Sequence, residues 1–253
     1  MSEVIEAPGL DVRIYNNRQI MGEAAAELVS EKIREILEVQ DYVNIIFASA
    51  PSQNEFLATL ATKRDIEWQR VNAFHMDEYL GLPGNAPQNF GNFLKLSLFS
   101  KLPFHSVNYI DGNAKDIQDE ISRYTGLLKR YPVDIVCMGI GENGHIAFND
   151  PHVADFEDDA LVKLVDLDMA SRMQQVNDKC FEFLSHVPPS AITLTIPALM
   201  KARFVYCIVP GKAKANAVFN TLRKEISEIH PSTIIRNHMG AILFLDKESS
   251  TFL

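Results

Sequence analysis

The sequence predicts an α/β protein: a Rossmann-like, mostly parallel sheet with helices on both faces, built as a single domain over residues 1–253. Short, continuously apolar runs rich in β-branched residues alternate with longer segments of helical periodicity, the pattern of strands covered on both sides. No Pro/Gly/Ser-rich linker, low-complexity stretch or internal repeat divides the chain. A content of 47% hydrophobic and 23% charged residues over 253 positions fits one large globular domain.

Val12 to Tyr15 reads as the first strand. Met21 to Leu37 follows as a helix, with Ala25, Leu28, Val29, Ile33, Ile36 and Leu37 at helical spacing. Val43 to Ala48 is a short strand rich in β-branched residues, bounded by the turn cluster Ser49-Ala50-Pro51-Ser52, and Asn54 to Ala61 is the next helix. Val71 to His75 and Asp134 to Met138 are further strands, the second fully apolar after its first residue. Met169 to Leu184 reads as a helix. Phe204 to Val209 and Ala241 to Leu245 complete the strands, with the helix Lys212 to Leu222 between them. In such sheets ligands bind beyond the carboxyl ends of the strands, so the loops there carry the functional question.

Composition narrows the partners. No apolar run reaches the roughly 18 residues of a membrane-spanning helix, and the acidic start Met1-Ser2-Glu3-Val4-Ile5-Glu6 lacks the apolar stretch of a signal peptide. A formal net charge of −9 and the absence of any Lys/Arg tract disfavour nucleic acid. Cys137, Cys180 and Cys207 are odd in number and widely spaced, which suits reduced thiols in a cytoplasmic protein rather than a disulfide frame or zinc ribbon. The expectation is a soluble cytoplasmic protein with a small-molecule ligand and no nucleic-acid or membrane partner.

Four strand-end loops stand out. In Phe47-Ala48-Ser49-Ala50-Pro51-Ser52-Gln53, backbone N–H groups and the Ser49 and Ser52 hydroxyls suit a phosphate or carboxylate, while Ser52 with Glu55 could equally form a capping box. In Phe74-His75-Met76-Asp77-Glu78-Tyr79-Leu80-Gly81-Leu82-Pro83, two acids directly after a strand stand where a general base would sit, or else mark a solvated turn. Met138 to Pro151 satisfies G-x-G-x-x-G after a strand, but Asn149-Asp150-Pro151 leaves no room for the long helix of a dinucleotide site. Its glycines allow close backbone approach to a ligand. His145 can move protons near neutral pH, with Asp150 orienting its ring. The spacing of His145, Asp150 and His152 matches no zincin or facial-triad pattern, so no metal is expected. Last, Lys212 and Lys214 oppose the dipole of the helix they open, which a bound anion or plain solvation would explain. Ser171-Arg172, near the start of another helix, offers a comparable cation.

Taken together, these loops resemble the glucosamine-6-phosphate deaminase (isomerase) family. Met76-Asp77-Glu78-Tyr79-x-Gly81-Leu82-Pro83 is similar to its M-D-E-Y-x-G-L-P segment, Asp111-Gly112-Asn113-Ala114 to its D/N-G-N-A turn, and Gly139 to Pro151 to its G-x-G-x-[DN]-G-H-I-A-F-N-[ED]-P signature. The resemblance spans nearly the whole chain. It implies conversion of an amino-sugar 6-phosphate and water to fructose 6-phosphate and ammonia, with no metal or organic cofactor. It implies Asp77 as the base that moves a proton between C2 and C1, His145 as the acid/base of ring opening, and Asp150 and Asn143 as its partners. Ser49, Ala50, Ser52, Arg172 and Lys214 would hold the phosphate.

The chain departs from the family at three places. Asn143 stands where one branch has Asp, Asp150 where many members have Glu, and Ser49-Ala50-Pro51-Ser52-Gln53 replaces a loop close to T-G-G-x-P. Two rival readings share the fold. A 6-phosphogluconolactonase-like hydrolase typically continues T-A-S-L-F-P after the histidine, whereas this chain reads Ile146-Ala147-Phe148-Asn149-Asp150-Pro151; a non-catalytic sugar-phosphate sensor would usually carry a DNA-binding head, for which no segment is found. Some members are activated by an N-acetylated sugar phosphate held by basic residues after the signature. Here residues 151–163 carry four acids and one lysine, and such activation is not expected. The sequence leaves the sugar epimer open, and with it the choice between a monomer and a homo-oligomer.

Overall fold

A computed structural model describes residues 3–7 and 9–253, and every apolar run named above is a strand within it. In chain order the elements are β1 (Glu3–Ala7), β2 (Leu10–Tyr15), α1 (Arg18–Leu37), β3 (Val43–Phe47), α2 (Asn54–Leu60), β4 (Val71–His75) and β5 (Asp77–Tyr79). Next come α3 (Phe90–Leu94), which runs on into a π-helical turn, β6 (Ser106–Asn108), α4 (Ile117–Arg130), β7 (Ile135–Met138) and β8 (Val162–Asp166). The chain ends with α5 (Met169–Asn177), β9 (Ser190–Leu194), α6 (Ile196–Met200), β10 (Phe204–Val209), α7 (Ala215–Arg223) and β11 (Ala241–Asp246). No helix among the described residues is long and apolar enough to cross a membrane.

The main sheet has eight strands in the order β1-β2-β11-β10-β7-β3-β4-β6. Only the β1–β2 edge pair is antiparallel. From β3 the chain winds outward through β4 to β6, returns to the middle as β7, and winds the other way through β10 to β11. That reversal makes a crevice between the carboxyl ends of β3 and β7, where an open α/β sheet receives its ligand.

Continuously apolar strands supply both cores because successive side chains alternate in direction. Ile45, Phe47, Ile135, Cys137, Tyr206 and Ile208 pack against α1, α2 and the π-helical turn. Ile46, Val136, Met138, Val205 and Cys207 face the opposite layer of α4, α6 and α7.

Beyond the carboxyl ends lies a second, antiparallel sheet, β5-β9-β8. It is floored by an aromatic cluster of Tyr79, Phe90, Phe148 and Phe181. The expected helix Met169 to Leu184 stops early, at Asn177. Lys179 takes φ 59°, its N–H donates to Val176 (3.0 Å), and the Cys180 N–H donates to Gln175 (2.9 Å). This is a Schellman ending, with a lysine where glycine is usual. A short 3₁₀ turn, Leu184–His186, follows.

Candidate active site

The loops leaving β3, β4, β7 and β10 converge with α5 on one cavity at the sheet's reversal point. Its lining includes Ser49, Ala50, Ser52, Gln53, Asp77, Gly139, Gly141, His145, Phe148, Gln174 and Lys214. Asp77 and His145 therefore face a common space, although they stand 68 positions apart in the chain.

Asp77 is placed by a change of sheet. β4 ends at His75, and after Met76 the chain joins the second sheet, with Asp77 opposite Thr193. Strand alternation then sends the two acids to opposite sides. Asp77 lines the cavity, and no side-chain hydrogen bond reaches its carboxyl among the described residues. Burial, and then the neighbouring Glu78 charge, push the Asp77 carboxyl well above the usual range. Glu78 turns away and accepts the N–H groups of Tyr79 (3.0 Å), Phe90 (3.0 Å) and Gly91 (2.9 Å). Burial still raises it to about 7, with those three N–H groups opposing. The solvated-turn reading of this pair is thereby corrected: both acids are buried, one in the cavity and one bracing the start of α3. His75, given no role from sequence, accepts the Ile110 N–H at Nε2 (2.8 Å), and burial lowers it to about 4. It is a neutral structural imidazole.

The glycine-rich loop after β7 seats His145. A Cβ on Gly141 would lie 2.2 to 2.4 Å from three atoms of the His145 ring, so glycine there lets the ring lie across the backbone. The Gly141 N–H donates to the His145 carbonyl (2.9 Å), and the His145 N–H donates to Asn143 Oδ1 (3.0 Å). Nδ1 lies 3.0 Å from Asp150 Oδ1 and 2.8 Å from Ser171 Oγ. Asp150 is fully buried and also accepts from Asn143 Nδ2 (2.9 Å), the Asp168 N–H (3.2 Å) and the Ser171 hydroxyl. Burial alone would raise its carboxyl; the hydrogen bond and charge of His145, then Asn143 and Ser171, outweigh it and hold Asp150 well below the usual carboxylate range. Ala147 takes φ 51° in the same loop, a strained non-glycine conformation of the kind kept at functional sites.

The capping box does not form. α2 begins at Asn54 without a side-chain cap, Ser52 accepts from Gln53 Nε2 (3.2 Å), and Glu55 pairs with Arg18 (2.7 Å). Ser52 is left to the cavity. The Ser49 hydroxyl donates to the Phe90 carbonyl (3.2 Å), tying this loop to α3. The two lysines separate: Lys212 is exposed, and Lys214 is buried against the cavity. No carboxylate lies within ion-pair distance of Lys214 among the described residues, and burial lowers its ammonium despite the more distant Asp178 and Glu142. A buried cation without a counter-ion is a place for an anion. Arg172 stands elsewhere. Its guanidinium donates to the carbonyls of Leu184 (3.1 Å) and Val187 (2.9 Å), bracing the segment after α5 outside the cavity lining.

Three residues of the site were missed in the sequence, two that line the cavity and one behind the imidazole. Gln53 is buried, donates to the Ile208 carbonyl (3.1 Å) and leaves Oε1 without a partner. Gln174 accepts the Glu142 N–H (2.8 Å), locking α5 to the glycine-rich loop. Ser171, read there only as the neighbour of Arg172, bridges His145 and Asp150. Chemically, the cavity offers one carboxyl free to exchange a proton, one imidazole backed by a carboxylate, and one ammonium open to an anion.

A family model described as glucosamine-6-phosphate isomerases/6-phosphogluconolactonase matches residues 16–244. The chain is 32% identical over 232 residues to a glucosamine-6-phosphate deaminase of Streptococcus sanguinis, covering 92% of this chain and 94% of that one. It is 35% identical over 187 residues to one of Bacillus cytotoxicus, covering 74% of this chain and 70% of that one. Among solved structures, a monomeric glucosamine-6-phosphate deaminase superposes with a TM-score of 0.87 at 24% identity, over 96% of this chain and 99% of that one. A 6-phosphogluconolactonase from Thermotoga maritima superposes with 0.76 at 21%, over 93% and 99%. At those identities the superpositions speak for the fold.

Proposed function

The chain belongs to the glucosamine-6-phosphate isomerase/6-phosphogluconolactonase family, and from that premise we propose that it is an amino-sugar-6-phosphate isomerase/deaminase. It takes glucosamine 6-phosphate, or an epimer, and water to the matching ketose 6-phosphate and ammonia. The observation that carries this reading is the meeting of the unpartnered Asp77 carboxyl and the Asp150-backed His145 imidazole in one cavity with Lys214.

Lys214 and the Ser49–Ser52 loop hold the phosphate. His145 Nε2 takes the proton of the anomeric hydroxyl and delivers it to O5, so that the C1–O5 bond breaks and C1 becomes an aldehyde. Asp77 then removes the C2 proton and returns it to C1, while a proton of the C2 ammonium passes to O1, which leaves an iminium at C2. Water adds there, ammonia departs, and the ketone remains. A proton shift between adjacent carbons needs one base over one face of the sugar, and ring opening needs one imidazole near O5. Asp150 holds the imidazole, Asn143 holds Asp150 and the His145 backbone N–H, and Arg172 supports the segment that follows α5.

The substrate brings its own charge to Asp77. An ammonium at C2 beside Asp77 favours its ionised form, by up to about 4 kcal/mol at 4 Å and an effective dielectric of 20. A neutral lactone brings no such charge, and the Ile146 to Pro151 sequence and the deaminase relatives at 32 and 35% identity support the same choice. Asp77 and His145 both facing the cavity supports catalysis over sensing. We further place the protein in the cytoplasm as one domain, a setting that suits its three free thiols.

The test is a parallel assay. Ammonia release from glucosamine 6-phosphate or galactosamine 6-phosphate, without turnover of 6-phosphogluconolactone, is the expected result. Lactone hydrolysis with no ammonia would replace this reading by the hydrolase, and neither activity would favour the sensor.

A further inference from the structure

Ser171 sits in the first turn of α5, behind an N-cap that Asp168 already supplies by accepting the Ala170 N–H (3.1 Å). The serine is therefore not needed to start its helix. It is 1% exposed, and its Oγ touches two groups of the site at once: His145 Nδ1 at 2.8 Å and Asp150 Oδ1.

A hydroxyl has one proton to give, and the two neighbours compete for it. Asp150 accepts donors from Asn143, Asp168 and Ser171, and the network holds it ionised, so it has no proton to offer Ser171. A Ser171 lone pair against Asp150 Oδ1 would set two acceptors face to face. The hydroxyl proton therefore goes to Asp150, and the lone pair left over faces His145 Nδ1. That contact is a hydrogen bond only if Nδ1 carries a proton. Nδ1–H is then shared between Ser171 Oγ and Asp150 Oδ1, 3.0 Å away. Nε2, which has no partner among the described residues, is left bare for the cavity that the ring lines.

We propose that Ser171 is a positioning residue that locks His145 in the Nδ1-protonated tautomer and so presents Nε2 as the proton acceptor of ring opening. Asp150 alone does not hold the ring in this way, because its Oδ1 is shared with Asn143 (2.9 Å). Ser171 adds a second acceptor on a different element, so the ring is held from α5 as well as from its own loop. The kinetic part of this proposal rests on the isomerase/deaminase reading; the tautomer does not.

The experiment pairs ring-nitrogen NMR of ¹⁵N-histidine-labelled protein with kinetics, in the wild type and Ser171→Ala. The wild type should give His145 signals of a protonated Nδ1 and a bare Nε2, and Ser171→Ala a mixture of tautomers. The variant should lose at least about 10-fold in kcat on the cyclic amino-sugar phosphate, as when an orienting partner of a working imidazole is removed. KM should stay within about twofold, because no contact to substrate is lost. Solvent-proton exchange into the open-chain ketose 6-phosphate should persist, because Asp77 is untouched. An unchanged single tautomer in Ser171→Ala, or equal loss of both activities, would overturn the proposal. A wild type that releases no ammonia would defeat the function proposed above, and the NMR comparison would still decide the role of Ser171.

Discussion

The corner after β4 and the glycine-rich loop after β7 each bury an aspartate beside the same cavity, and they treat it in opposite ways. Asp77 has no side-chain hydrogen-bond partner among the described residues, and burial drives its carboxyl up. Asp150 is saturated by Asn143, Asp168, Ser171 and His145, and is held down. The first environment leaves a carboxyl able to trade protons with a ligand. The second commits its carboxyl to holding an imidazole. The residue type is the same, and its surroundings divide the roles.

The largest effects should separate the two regions by chemistry. Asp77→Asn should lower turnover at least about 100-fold, as for loss of a general base, and should abolish proton exchange at C2. His145→Gln should cripple reaction of the cyclic sugar to a comparable degree while sparing exchange in the open-chain ketose phosphate. Initial rates and isotope exchange measured on both variants check this. Equal loss of both activities in His145→Gln would erase the proposed division of labour.

Lys214→Met comes next. Loss of one charged hydrogen bond to phosphate, about 1.5–3 kcal/mol, should raise KM by roughly 10- to 150-fold. The same change should leave thermal stability equal or higher at pH 7, because burial disfavours the ammonium in the folded state. A titration of rate against substrate, with a melting curve, measures both.

Stability should then move in opposite directions for the two aspartates. The folded pKa of Asp77 is raised above its ordinary 3.8, so its contribution is full below that value and is lost as pH rises through the folded pKa. Asp77→Asn should therefore melt higher than the wild type at pH 7. The folded pKa of Asp150 is depressed, so its contribution is present above 3.8 and is lost as pH falls toward the folded value. Asp150→Asn should destabilise by about 1–3 kcal/mol at pH 7, the cost of leaving buried donors without their acceptor. Chemical denaturation across pH reads the sign of each.

The smallest effect should be none at all. Lys163, the one lysine of residues 151–163, is already engaged by the Val153 carbonyl (2.7 Å) and by Asp158 (2.9 Å). Adding N-acetylglucosamine 6-phosphate should not shift the substrate curve.

The sequence made the parallel sheet legible because its strands are almost continuously apolar, as in Phe204–Val209 and, but for Asn44, in Val43–Phe47. It hid the second sheet. β5 has three residues, two of them acids, and acquires its strand form only by pairing with β9. α4 was readable but passed over: Asp116 caps it, and Tyr124 and Leu128 form its buried stripe. At the site, Asp77, His145, Asp150 and Lys214 could be named because their residue types suit few roles at a strand end. Gln53, Ser171 and Gln174 could not, since such residues also occupy caps and exposed helix faces. Arg172 was drawn away by the early end of α5 at Lys179, a backbone event that a lysine does not advertise.

The most direct test of the division between the two regions follows the hydrogen at C2. With glucosamine 6-phosphate deuterated at C2, the wild type should release ammonia with a primary isotope effect and carry part of the deuterium to C1 of the ketose. Asp77→Asn should do neither. Ammonia formed with no primary isotope effect, or transfer undiminished in Asp77→Asn, would contradict the role given to the β4 corner.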